Sequence, residues 1–133
     1  MKILVMGGTR FVGKSLVGKL LSQNHDIDIF TRGNKSNPEK TNLIKGDRNS
    51  SEDIVRLRNK KYDVVYDISG RELEQTKLLI GNLDNSFQRY IYVSSAGVYK
   101  DNCELPLSEV DPIDPDSRHK GKFETENWLI NQK

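Results

Sequence analysis

Residues 1–21, MKILVMGGTRFVGKSLVGKLL, decide how the rest of the chain is read. A short apolar run, Ile3, Leu4, Val5 and Met6, meets a turn bearing Gly7, Gly8 and Gly13. It passes into residues at helical spacing: Val12, Leu16 and Leu20 beside Val17 and Leu21. The pattern predicts a buried strand, a tight loop and a helix whose free N-terminal amides face the strand's carboxyl end. Unpaired N–H groups and the helix dipole together attract phosphate there, so the expectation is a nucleotide or dinucleotide site.

Two loops fit the same letters. Gly8-Thr9-Arg10-Phe11-Val12-Gly13-Lys14-Ser15 satisfies G-x-x-x-x-G-K-S, in which the lysine reaches the β/γ-phosphates and the serine holds magnesium. Read from Gly7, the letters give G-x-x-R-x-x-G, a relative of the dinucleotide fingerprint with Arg10 in place of its middle glycine. In that reading Gly7 makes the turn, Phe11 and Val12 pack under the helix, and Gly13 permits close approach of helix to strand. A strand-to-helix turn that binds nothing is the third alternative.

Composition bounds the rest. At 133 residues, with 35% hydrophobic and 30% charged content, the chain reads as one domain large enough for a core of its own. No apolar run approaches the roughly 20 residues of a membrane span, and the N-terminal stretch is expected to be a core strand rather than a signal peptide. The lone Cys103 leaves no internal disulfide and fits a reducing cytoplasmic or stromal compartment. A net charge of +2 does not by itself argue for nucleic acid. No metal site is assigned.

Strands and helices alternate along the chain. Residues 26–31 (DIDIFT) read as a second strand, 41–45 as a third, 62–68 (YDVVYDI) as a fourth and 89–95 (RYIYVSS) as a fifth. Ser50 with Asp53 resembles a capping box ahead of a helix burying Ile54 and Leu57. A helix over 71–84 buries Leu79, Ile80 and Leu83; 100–117 is loop, and 119–130 a last helix. This alternation predicts an α/β fold, a Rossmann-type doubly wound parallel sheet of order 3-2-1-4-5 with its ligand crevice between strands 1 and 4. A sixth strand and a substrate-closing domain are not in the sequence, so residues 1–133 are expected to be the dinucleotide-binding domain alone.

The end of the second strand discriminates among ligands. An acidic residue there would bond the ribose 2′-OH, whereas a basic one accommodates a 2′-phosphate. Thr31 followed by Arg32, with Arg10 across the same pocket, favours NADP over NAD. Asp47, after the third strand, is placed beside the adenine or as the cap of the next helix, and Ser69, where the fourth strand stops, is grouped with the cofactor residues.

Four collinear motifs then carry a family resemblance: Gly7 to Gly13, Gly46-Asp47-Arg48, Tyr92-Val93-Ser94-Ser95-Ala96-Gly97-Val98-Tyr99, and Lys122 with Glu126. In that order they resemble the extended short-chain dehydrogenase/reductase family, which includes the NAD-dependent nucleotide-sugar epimerases and dehydratases. The resemblance covers the cofactor half of a family member and favours the dinucleotide loop over the phosphate loop, although Asp67 could imitate a magnesium-binding aspartate. It implies a serine that polarises the substrate hydroxyl, a tyrosine acid/base, and a lysine four residues on that lowers the phenol's pKa and holds the nicotinamide ribose. Ser95 and Lys122 match the serine and the lysine. Position 118, where the tyrosine belongs, is arginine, which cannot serve as base. His119 is the neighbouring substitute, about 100° away if helical.

The Gly7-Gly8-Thr9-Arg10-Phe11 run, the Ser-Ser-Ala-Gly-Val-Tyr strand end and the block Asp116-Ser117-Arg118-His119-Lys120-Gly121-Lys122 are similar to chloroplast and cyanobacterial stem-loop RNA-binding proteins. These are atypical members of the same family, associated with mRNA binding and RNA cleavage. The resemblance implies an RNA partner, with the basic block suited to phosphate contact. Two function classes therefore stand: an RNA-associated protein keeping the dinucleotide fold, which is preferred, and an NADP-dependent nucleotide-sugar epimerase or dehydratase. A phosphate-loop nucleotidase is a distant third. A domain lacking its partner half is further expected to be less stable, or to associate with itself as a homo-oligomer.

Overall fold

A computed structural model describes residues 1–84, 86–101 and 104–132; Cys103, on which the compartment expectation rests, lies outside them. Among the described residues, five parallel strands, β1 (Lys2–Met6), β2 (Asp26–Thr31), β3 (Asn42–Lys45), β4 (Tyr62–Asp67) and β5 (Phe87–Tyr92), form one sheet of order β3-β2-β1-β4-β5. The expected order is the observed one. The helices are α1 (Phe11–Ser22), α2 (Ser51–Ile54, continued by a 3-10 turn Val55–Leu57), α3 (Leu73–Leu83) and α4 (Lys120–Ile130).

A parallel sheet covered on both faces needs strands that are apolar on both sides, and β1 supplies them. Ile3 and Val5 join Ile27 and Ile29 of β2 against Val17 and Leu20 of α1. Leu4 and Met6, pointing the other way, join Phe30, Tyr62 and Val65 against Ile54, Leu57, Leu79 and Leu83. Thus α1 closes one face, while α2 and α3 close the other. Thr76 is buried on α3 one turn before Leu79, while Ile80 is only half-buried, so the buried stripe is shifted from the expected one. The strand termini also differ: β5 runs Phe87–Tyr92 rather than 89–95, its register with β4 starting at Tyr62↔Phe87 and ending at Asp67↔Tyr92, and Ser95 beyond it caps a 3-10 turn over Ala96–Val98.

Contacts divide the chain into two compact units: residues 1–70 with 74–93, which hold the sheet, and Arg71–Leu73 with the described residues from Ser94 onward. The second unit contains α4, the 3-10 turn and an antiparallel bridge between Tyr99 and Ile113.

Candidate functional site

At the carboxyl end of the sheet β1 runs into Gly7, whose φ of 97° makes the turn. Arg10 caps α1 with extended backbone and no side-chain hydrogen bond, and the first turn carries no acidic residue. The helix end is therefore left open to an anion. A Cβ on Gly13 would lie 2.8 Å from the Gly7 carbonyl oxygen, so α1 can start this close to β1 only with glycine there. Phe11 and Val12 do not pack under the helix as expected: they are 87% and 63% exposed. The buried face of α1 is set by Gly13, Val17 and Leu20; at 100° per residue Val12 falls away from it, and Phe11, with a φ of 40°, is out of the helical phase. Gly8 is buried against Val17 and Ile29, and Thr9 is half-buried.

Thr31 ends β2 as expected and is half-buried; Arg32 and Arg10 are exposed. Asp47 does not cap α2. Ser50 does, its side chain accepting from the Asp53 amide at 3.2 Å. Asp53 Oδ2 accepts instead from the Asp47 amide, and Asp47 Oδ1 accepts from the Asn49 backbone and side-chain nitrogens at 2.9 and 3.0 Å.

The largest polar feature of this end was not singled out from sequence. Arg48 donates from Nη1 to Asp67 Oδ1 at 2.6 Å and from Nη2 to Asp67 Oδ2 at 2.9 Å. Asp67 also accepts from Tyr90 OH at 2.7 Å, the Gly70 amide at 2.9 Å and Thr76 Oγ1 at 3.3 Å. Burial alone would push the Asp67 carboxyl up, but the Arg48 guanidinium and these donors hold it below its ordinary value. Burial and the same carboxylate push the Tyr90 phenol up. A carboxylate so fully engaged has no lone pair to spare for magnesium, and Lys14 and Ser15 are solvent-exposed on α1. The phosphate-loop reading loses its metal ligand. A partial sequence signal existed: a carboxylate that is buried at the end of an apolar strand needs a cation or several donors, and Arg48 ends the Gly-Asp-Arg turn.

Ser69 takes a third bond from the same arginine, Nη1 donating to its Oγ at 2.9 Å. Ser69 is also the side chain that a Cβ on Gly7 would strike, at 3.0 Å. Arg48 thus ties the turn after β3 to the turn after β4, whose last residue, Asp67, pairs in register with Met6 of β1.

In the second unit Ser95 Oγ accepts from the Gly97 amide at 3.2 Å. Ser117 Oγ donates to the Gly97 carbonyl at 2.5 Å and accepts from the His119 amide at 3.0 Å. His119 is the residue preceding α4 rather than part of it, and its ring lies against Gly97: a Cβ there would be 2.5 Å from the imidazole Cδ2. Exposed Arg118 donates from Nε to His119 Nε2 at 3.1 Å. An imidazole accepting at Nε2 carries its proton on Nδ1. Lys120 is exposed and Lys122 half-buried in the first turn of α4. Ser117 and His119 therefore meet the Gly97 turn, with Arg118 held on His119 and Lys120 and Lys122 following in α4.

A parallel sheet reversing its order at β1/β4, with a glycine turn opening α1, defines a Rossmann-type doubly wound α/β protein. Residues 3–130 match the NAD dependent epimerase/dehydratase family, and the chain belongs to that family. It is 43% identical, over 96% of its own length, to "Chloroplast stem-loop binding protein of 41 kDa b, chloroplastic" of Arabidopsis thaliana. It is 30% identical, over 85%, to a putative UDP-glucose 4-epimerase of Methanocaldococcus jannaschii. The chain spans 38% and 44% of the lengths of these relatives. Its fold is that of the UDP-glucose 4-epimerase of Thermotoga maritima solved with UDP-glucose, at a TM-score of 0.83 and 18% identity. That match covers 98% of this chain and 50% of the other. A short-chain dehydrogenase/reductase superfamily protein from Agrobacterium tumefaciens with bound NAD superposes at 0.81 and 20% identity, covering 97% and 44%.

Proposed function

We propose that this chain is the cofactor-binding portion of an epimerase/dehydratase-like protein that binds RNA through the basic cluster of its second unit and no longer runs the family's redox chemistry. The substrate portion is proposed to lie outside these residues, in keeping with the fraction of its relatives that the chain spans. The observation that carries the reading is the pair Arg118–His119. A guanidinium stands where the family resemblance puts the acid/base phenol, and it occupies the lone pair that would let the neighbouring imidazole act as base. Ser95 and Lys122 are then left without a proton acceptor to assist. Arg118 and Lys120, exposed beside Lys122, suit the phosphates of RNA, and the name of the Arabidopsis relative gives the partner class. For the cofactor, Thr31 and Arg32 with no carboxylate at the end of β2 favour NADP over NAD. No helix of the described residues is long and apolar enough to cross a membrane, and a cytoplasmic or stromal location is part of the same proposal.

The test uses the full-length protein with a stem-loop RNA titrated against salt, with and without NADPH. Affinity should fall steeply with salt, and changing both Arg118 and Lys122 to alanine should lower the log–log slope by about 1–2. NADPH should bind more tightly than NADH, and UDP-glucose should not turn over. Epimerisation that disappears in Ser95→Ala would overturn the reading, as would RNA affinity indifferent to the double change.

A further inference from the structure

Arg48 is nine-tenths buried at the crevice end of the sheet, and the ion pair with Asp67 explains only part of its placement. The fork aims two nitrogens at the carboxylate, yet Nη1 also reaches Ser69 Oγ, while Nε is buried with no partner among the described residues. An unsatisfied buried N–H is costly. A lysine would present one freely rotating nitrogen, whereas the planar guanidinium fixes the direction of the donor that meets Ser69.

The consequence lies in the serine hydroxyl. Having accepted from Arg48, Ser69 Oγ keeps its own proton, for which no acceptor is present among the described residues. Ser69 is exposed and its side chain stands beside the Gly7 turn, where β1 hands over to α1. Reversal of strand order between β1 and β4 makes this the place where a dinucleotide's ribose–phosphate chain crosses a doubly wound sheet.

We propose that Arg48 is a positioning residue for the dinucleotide: held by Asp67, it orients Ser69 so that the serine O–H donates to an oxygen of the cofactor's ribose–phosphate chain at the Gly7 turn. The inference rests on the reading of this unit as a dinucleotide site and deepens it. The guanidinium touches no ligand; it sets which way the hydroxyl proton points, as second-row partners do for groups that must meet a ligand with fixed geometry.

The experiment measures NADPH and NADH dissociation constants for the full-length protein and its variants, with thermal unfolding recorded for each. Ser69→Ala should weaken both cofactors about 3- to 10-fold, the worth of one hydrogen bond, with the unfolding temperature unchanged, and Ser69→Thr should restore binding. Arg48→Lys should weaken binding similarly, and adding Ser69→Ala to it should cost nothing more, because the hydroxyl is already misdirected. A measurement that leaves Arg48 intact guards against a variant that does not fold: the Arg48 Nη resonances should shift on NADPH addition in the wild type and not in Ser69→Ala. An unchanged constant in Ser69→Ala, full additivity of the two changes, or identical Nη shifts with and without the hydroxyl would overturn the inference while leaving the dinucleotide site standing. A wild type that binds neither cofactor would overturn both.

Discussion

The two ends of the sheet each bury a carboxylate, and they do so differently. At the amino end Asp28 of β2 accepts from Lys2 Nζ at 2.8 Å, Tyr62 OH at 2.8 Å and Asn42 Nδ2 at 3.1 Å. At the carboxyl end Asp67 of β4 accepts from Arg48, Tyr90, Thr76 and the Gly70 amide. Burial pushes each carboxyl up, and the neighbouring cation and hydrogen bonds bring both below the ordinary range. The cations distinguish them. Lys2 is a half-exposed strand residue whose ammonium also meets Asp26 at 2.9 Å, so it can return to water if Asp28 is lost. Arg48 is nine-tenths buried on a turn and has no such exit. One end is a latch between strands; the other is a strut between the turns that follow β3 and β4.

The sharpest way to break this comparison is to neutralise each acid in turn. Asp67→Asn strands a buried guanidinium and should cost about 3–5 kcal/mol in denaturant unfolding. Asp28→Asn frees an ammonium that can rehydrate and should cost about 1–2 kcal/mol. Equal costs would mean that burial of the cation is not what separates the ends.

A smaller effect is expected on acidification. A carboxyl whose folded pKa is lowered stabilises the fold above its unfolded value, about 3.9, and that contribution is lost as pH falls through the folded value. Unfolding free energy should therefore decline below about pH 4, and Asp67→Asn should flatten that limb more than Asp28→Asn does. An acid limb untouched by either change would place the titrating groups elsewhere. The smallest contrast concerns the phenols: Tyr90→Phe and Tyr62→Phe each remove one bond to a carboxylate and should cost about 1–2 kcal/mol. Only Tyr90→Phe, on the strut, is expected to alter NADPH affinity as well, and matched affinities in the two variants would count against a strut at the crevice.

Strand order, the Gly7 turn and the close approach at Gly13 were legible because each follows from a local pattern: apolar runs, a glycine with positive φ and right-handed crossovers. The first turn of α1 departs from the sequence pattern at Phe11 and Val12 because apolar letters at helical spacing do not reveal which residue begins the buried stripe, and Gly13 carries no side chain to mark it. In the sequence Arg48 stands only as the last residue of a Gly-Asp-Arg turn motif. Its partner lies 19 positions away, and pairing at that distance is decided by tertiary placement, which no window of sequence contains. The same holds for Arg118 and His119: adjacency in sequence suggested divergent side chains, whereas both precede α4 and meet.

The close approach of the His119 ring to Gly97 gives the second unit a built-in spectroscopic marker. A glycine α-proton aimed at an imidazole, in the direction where a Cβ would come within 2.5 Å of Cδ2, experiences the ring current of that aromatic system. Its resonance should stand apart from those of other glycines only while the Gly97 turn and His119 are held together. The chemical shift of a single proton then reports on the order of the basic cluster itself, in the absence or presence of RNA, without any label being attached.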